Sequence, residues 1–160
     1  TLSEESMTDR PHILIVASPY YAHITEELVR GATARIEAAD GTLETVEVPG
    51  VFETATAIAM AMRAPPRADG RAKFDGYVAL GCVIRGETTH YDYVCNESAR
   101  ALQDLAVAHC LPIGYGIVTV ENEQQAIERA FVDRRNKGGD AAAACLAMIA
   151  LRRSFMPSLR

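Results

Sequence analysis

Residues 12–18 read HILIVAS, and from Ile13 to Ala17 no polar residue interrupts the run. A half-buried strand alternates apolar and polar side chains, so an unbroken apolar, β-branched run ending at Ser18-Pro19 predicts a strand over about 12–17 buried on both faces, as in a parallel sheet. Downstream, Ile24, Leu28, Ala32 and Ile36 recur every four residues while Glu26, Glu27, Arg30 and Arg35 fall between them, the single apolar stripe of a helix. Thr25 or a neighbour is expected to cap its start, and Asp40-Gly41 to stop it. LETVEV (43–48) reads as a second strand closed by Pro49-Gly50, followed by an Ala/Met-rich helix over about 52–63. APPRADGRAK (64–73) is rich in Pro, Gly and charge, a surface loop within one domain, since neither flank could form a core alone.

GYVALGCVI (76–84) is a third buried strand. Val94, Cys95, Ser98, Leu102, Leu105 and His109 then trace a helical face, and residues 113–120 form a fourth strand. Two helices, over about 122–135 and 139–155 with Lys137-Gly138-Gly139 as the break, close the chain. The order βαβαβαβαα requires right-handed crossovers over a four-stranded parallel sheet, a three-layer α/β/α sandwich with helices on both faces. The expected organisation is a flexible segment over 1–11 and one domain over 12–156.

With 160 residues, the chain is long enough for a self-sufficient core without disulfides or metals. Its 16 basic and 21 acidic side chains give a net charge of −5, which argues against a nucleic-acid footprint and makes any positive site local. The longest apolar run, Ala141 to Leu151, is far shorter than a membrane span needs, and TLSEESMTDR at the start does not read as a secretory signal. Cys82, Cys95, Cys110 and Cys145 contain no CxxC pair and read as reduced core thiols of a cytoplasmic protein. His12, His23 and His109 lie on separate elements, so no metal site is expected.

In an open parallel sheet, ligands sit beyond the carboxyl ends of the strands. Those positions hold Tyr20-Tyr21, Val51-Phe52-Glu53, Gly86-Glu87-Thr88-Thr89-His90 and Glu121-Asn122-Glu123, an unusual concentration for a chain with 6% aromatic residues. Gly86 to Thr89 join a strand to a helix start, where free N–H groups and the helix dipole favour an anion; turn-making and capping account for the same residues. His90 follows at once, and an imidazole is the side chain that exchanges protons near neutral pH, although a histidine at a helix start also serves as a cap. Tyr20 and Phe52 could sandwich a flat heterocycle and Glu53 accept its hydrogen bonds, or Phe52 is core and Tyr20 covers the sheet edge. Arg129, inside an amphipathic helix, reads equally as a solvated charge paired with a glutamate. No Walker or GxGxxG phosphate motif occurs, since Gly114-Tyr115-Gly116 lacks a third glycine.

VPGVFE (48–53), ALGCVIRGETTHYDYVCNE (79–97), QAIERA (125–130) and NKGG (136–139) closely resemble the lumazine synthase family of riboflavin biosynthesis. The resemblance runs from about His12 to Phe155 and implies a flavodoxin-like fold. It also implies condensation of 5-amino-6-(D-ribitylamino)uracil with 3,4-dihydroxy-2-butanone 4-phosphate, releasing phosphate and water without metal or organic cofactor. By that resemblance Tyr20 stacks on the pyrimidine, Val51, Phe52 and Glu53 hold the ribityl chain, and Cys82, Val83 and Ile84 contact the uracil. Gly86, Glu87 and Thr88 form the phosphate cradle, Arg129 neutralises the phosphate with Lys137 nearby, and His90 supplies a proton. Tyr115 matches an aromatic that reaches into a neighbouring subunit's site.

The family forms homopentamers with sites at subunit interfaces, sometimes twelve pentamers in a shell. A helix apolar all round, as Ala141 to Leu151 would be, needs cover on more than one face, which a second subunit supplies. Where shell-forming members commonly carry a Gly-Thr-Lys-x-Gly-Asn turn, this chain has Phe131-Val132-Asp133-Arg134-Arg135-Asn136, so an isolated pentamer or a decamer is expected. Tyr20-Tyr21 replaces the more frequent Phe-Asn or Trp-His, and Glu87 places an acid beside a phosphate, compatible with the cradle if only its N–H faces inward. A non-catalytic relative that binds a flavin on Tyr20 and Phe52 is the rival reading, and it leaves His90 and Arg129 without a task. A signalling receiver fits less well, since Ser18-Pro19 stands where an acidic cluster would end the first strand.

Overall fold

In the computed structural model, which describes residues 9–157, the side chains of β1 (His12–Ala17) divide between two cores. Ile13, Ile15 and Ala17 enter one and Leu14 and Val16 the other, each nearly inaccessible to solvent, which is why no polar residue interrupts the run. The chain continues through α1 (Ala22–Ala38), β2 (Thr42–Glu47), a single 3-10 turn at Val51–Glu53, α2 (Thr54–Ala61), β3 (Gly76–Ile84), α3 (His90–His109), β4 (Ile113–Val120), α4 (Glu123–Ala130) and α5 (Lys137–Phe155). All strand pairs are parallel, in the order β2-β1-β3-β4. Helices α1, α4 and α5 cover the face that carries Ile13, Val78 and Val118, and α2 and α3 cover the face that carries Leu14, Tyr77 and Ile117. The result is the expected three-layer, flavodoxin-like sandwich. Because β2 and β3 flank β1 on opposite sides, the connections diverge at the carboxyl ends of β1 and β3 and leave a crevice there.

Packing of α5 demands close backbone approach. A side chain at Gly114 would run into the carbonyl of Ala141, one at Gly116 into Leu80, and one at Gly138 into the carbonyl of Leu28. Gly138 thus belongs inside α5, and the break before that helix lies at 131–136, where Asn136 takes a left-handed conformation (φ 49°) and its side chain accepts a hydrogen bond from the Gly139 N–H at 3.2 Å. The long helix expected over 122–135 accordingly ends at Ala130.

Other local expectations are corrected in the same way. Thr25 does not cap α1; it lies within the helix, buried, and its hydroxyl donates to the Ser18 carbonyl at 2.7 Å. At the far end, Asp40 rather than Gly41 adopts positive φ (59°), while Gly41 is needed because a side chain there would press on Ile36 and the Pro11 carbonyl. The helix expected over 52–63 is the 3-10 turn plus the shorter α2. Only Cys82 and Cys145 are core thiols: Cys95 is partly buried, and Cys110 is exposed at the left-handed end of α3. One stripe of α5, including Ala142, Cys145 and Ile149, is buried, while Met148, Leu151 and Phe155 remain exposed.

Residues 1–8 of the expected flexible segment lie outside the described residues. Arg10, at its other end, pairs with the Asp40 carboxylate at 2.9 Å. Among the described residues no helix is long and apolar enough to cross a membrane.

The close contact of α5 with α1 yields a direct test. Gly138→Ala should lower stability by about 2 kcal/mol through overpacking against Leu28, read as a lower urea midpoint with unchanged slope. An unchanged midpoint would mean that the two helices separate without cost.

Candidate active site

A cleft of about 800 Å³, the size of a small-molecule site, opens beyond the carboxyl ends of β1 and β3. Tyr20, directly after β1, stands 75% exposed at its mouth and meets Tyr21 edge-on, ring centroids 5.0 Å apart. Tyr21 packs its ring toward the core beneath, so burial, helped by Tyr20 and Cys82, raises its phenol pKa and keeps it neutral. From the segment after β2, buried Val51 anchors the 3-10 turn while Phe52 projects into the cleft, 59% exposed. The turn holds because the Glu53 N–H donates to the Gly50 carbonyl at 3.1 Å and the Thr54 hydroxyl to the Val51 carbonyl at 2.7 Å. Gly50 also leaves room for the Glu53 carboxylate, which a side chain there would approach at 3.1 Å.

The opposite wall is the end of β3. Cys82, Val83 and Ile84 line the cleft and are fixed by parallel pairing with Val118, Thr119 and Val120 of β4. Burial, reinforced by Cys95, pushes the Cys82 thiol up to about 12, so it is a neutral wall residue and not a nucleophile at physiological pH. Beyond β3 the chain turns through Gly86, Glu87 and Thr88 into α3. Among the described residues, the backbone N–H groups of these three donate no hydrogen bond, and a side chain at Gly86 would meet open space. Three free donors beside the start of a 20-residue helix give this loop the chemistry to hold an anion. His90 opens α3, lines the same cleft, and is tied to the seat by its own N–H, 3.4 Å from the Thr88 hydroxyl.

Of the residues singled out from sequence, Tyr20, Val51, Phe52, Glu53, Cys82, Val83, Ile84, Gly86, Thr88 and His90 come together on this cleft, with Glu87 in the loop between Gly86 and Thr88. Tyr115, Arg129 and Lys137 do not line it. Tyr115 is exposed on the edge strand β4 near Tyr91 and Cys95. Arg129 lines a separate, shallower hollow on α4; its guanidinium donates to the Gln125 carbonyl at 3.1 Å and, among the described residues, pairs with no carboxylate, so the alternative of a glutamate-paired surface charge does not hold. Lys137 lies at the start of α5, 3.6 Å from Asp140.

Sequence reading missed Tyr91, Tyr93 and Val94, which also line the cleft, Tyr93 being 69% exposed. For Tyr93 and Val94 the signal was present in the helical spacing, because residues three and four positions after His90 share its face; Tyr91, the next residue, carries no such signal.

A profile described as 6,7-dimethyl-8-ribityllumazine synthase matches residues 10–153. Proteins of that name are similar over nearly the whole chain: one from Bartonella tribocorum is 49% identical over 94% of this chain and 96% of its own length. One from Agrobacterium fabrum is 49% identical over 91% of this chain and 97% of its own. A third, from Methylorubrum populi, is 51% identical over 89% and 83%. With an aromatic cleft and an anion seat at the switch point of a parallel sheet, and half its residues shared with such proteins, this chain belongs to the 6,7-dimethyl-8-ribityllumazine synthase family.

Proposed function

We propose that this protein condenses 5-amino-6-(D-ribitylamino)uracil with 3,4-dihydroxy-2-butanone 4-phosphate to give 6,7-dimethyl-8-ribityllumazine, inorganic phosphate and water. The observation that carries this reading is the placement of His90 between the aromatic cleft and the unsatisfied N–H groups of the 86–88 loop. Tyr20 and Phe52 hold the pyrimidine and its ribityl chain against the β3 wall, with Glu53 accepting hydroxyl hydrogen bonds. Gly86, Glu87 and Thr88 seat the phosphate on backbone N–H groups, Glu87 turning its carboxylate to solvent.

The chemistry asks for little more. The uracil amine attacks the ketone and a first water leaves to form an imine, phosphate departs to leave an enol that becomes a ketone, and the ribitylamino nitrogen adds to that carbonyl and expels a second water to close the ring. Aligning two bound reactants contributes several kcal/mol, of the order seen for well-oriented intramolecular reactions. His90 moves protons to and from the departing oxygens. Of the two lysines, Lys73 pairs with Glu44 at 3.6 Å away from the cleft and Lys137 serves the phosphate, so the imine forms between substrates, without a protein Schiff base.

Tyr115, Arg129 and Lys137 lie outside their own chain's cleft, so they complete the site of a second copy. A homopentamer, alone or stacked as a decamer in the cytoplasm, would bring them there and cover Met148, Leu151 and Phe155. Arg129, free of carboxylates, then neutralises the phosphate, with Lys137 beside it.

Five measurements test this reading. Purified protein with both substrates should release phosphate and form a fluorescent lumazine; neither product from folded protein would overturn the assignment. Arg129→Ala should raise KM for the phosphate ketone at least tenfold, as loss of a charge-assisted pair does, and leave the uracil KM nearly unchanged. His90→Ala should lower kcat about a hundredfold with KM kept. Mixed and reassembled, those two variants should regain about a quarter of wild-type activity, since random assembly gives one interface in four both intact residues. No recovery would place both in one subunit's site. Light scattering should report five or ten chains, and a particle near sixty would refute the isolated ring.

A further inference from the structure

Arg85 stands between the last residue of β3 and the 86–89 loop, and its contacts reach the end of β4, the turn after it and the first turn of α3. Its N–H donates to the Val120 carbonyl at the end of β4, 2.9 Å away. The guanidinium Nε lies 2.9 and 3.1 Å from the two carboxylate oxygens of Glu121, and Nη1 lies 3.4 Å from Asp92 in the first turn of α3. The same plane covers the ring of Tyr91, 4.3 Å from its centroid. Among the described residues, 86–88 have no comparable anchorage, since their N–H groups donate to none of them and the one hydrogen bond to a side chain of the three is the long one from the His90 N–H to the Thr88 hydroxyl. Arg85 thus ties the strand before the loop to the helix after it.

We propose that Arg85 is a positioning residue for the phosphate-bearing substrate: by bridging Glu121 and Asp92 over Tyr91 it holds the 86–89 loop in the open shape that presents its N–H groups to the phosphate. The proposal rests on the reading of that loop as the phosphate seat. Arg85 does not line the cleft and touches no substrate, and with Glu121 and Asp92 beside it its charge is already compensated, so its effect is on geometry and not on the field at the anion. The uracil wall, Cys82 to Ile84, is held by strand pairing and does not depend on it.

Steady-state kinetics of the intact protein decides the matter. Arg85→Ala should raise KM for the phosphate ketone about fivefold, the upper range for an exposed charge network, and raise the Ki of inorganic phosphate equally, while KM for the uracil amine changes less than twofold. Arg85→Lys keeps the charge but lacks the planar fork that meets two carboxylates while lying on a ring, so it should share the loss. Asp92→Asn, which leaves Arg85 stacked, should give a smaller rise of the same selectivity and decides the question should Arg85→Ala fail to fold. Full rescue by lysine, or equal change or no change in the two KM values, would overturn the proposal. Amide NMR of the unaltered protein titrated with inorganic phosphate separates the two readings: if the Gly86, Glu87 and Thr88 N–H signals do not move the seat itself is misplaced, and if they move while Arg85→Ala leaves phosphate binding unchanged, only the positioning role falls.

Discussion

A parallel sheet buried on both faces has nowhere to bind a ligand except at the ends of its strands, and that constraint organises the whole molecule. Ile13 to Ala17 are covered above and below, so the backbone of β1 becomes accessible only after Ser18, as that of β3 does after Ile84. The strand order then decides which ends matter. With β1 and β3 adjacent and their connections diverging, the crevice falls between Tyr20 on one side and the Gly86 loop on the other. Tight contacts far from the site serve the same end. Gly114, Gly116 and Gly138 let α5 lie almost on the sheet and on α1, which fixes the layer that carries Tyr21 beneath Tyr20.

Much of this was legible in the primary structure because burial writes itself into periodicity. The unbroken runs of β1 and β3 announce strands covered twice, and the four-residue spacing of Ile24, Leu28, Ala32 and Ile36 announces a helix covered once. What escaped reading was set by tertiary neighbours. Nothing local to Gly138 tells that it packs inside a helix against Leu28 instead of breaking one, nor that Asp40 and not Gly41 takes the left-handed turn. The exposure of Cys110 follows from a helix that outruns the core, its last turns carrying Val107 and His109 into solvent.

The site was legible by a different route. Position at strand ends selected Tyr20, Phe52 and His90, and the strings 48–53 and 79–97 added the β3 wall. Tyr93 and Val94 lie past the loop, in the helix that turns them toward the same cleft as His90, so position at a strand end does not select them. Tyr115, Arg129 and Lys137 stand apart from these, on the edge of β4, the last turn of α4 and the start of α5, away from the cleft of their own chain, and only the proposed ring gives them a place in a site.

Electrostatics explains why that separation matters. The chain carries a net charge of −5, and Arg85, the nearest cation to the anion loop in sequence, is occupied by Glu121 and Asp92. Within one protomer the seat therefore has hydrogen-bond donors and a helix dipole but no uncommitted cation, and Glu87 adds an acid beside it. Such a seat orients a dianion without neutralising it, and a dipole's contribution is modest when exposed to water. Arg129 pairs with no carboxylate among the described residues, and under the proposed ring it arrives only when a second copy closes the cleft. Assembly, water exclusion and charge neutralisation then become one event, so that phosphate departure is favoured only in a completed site.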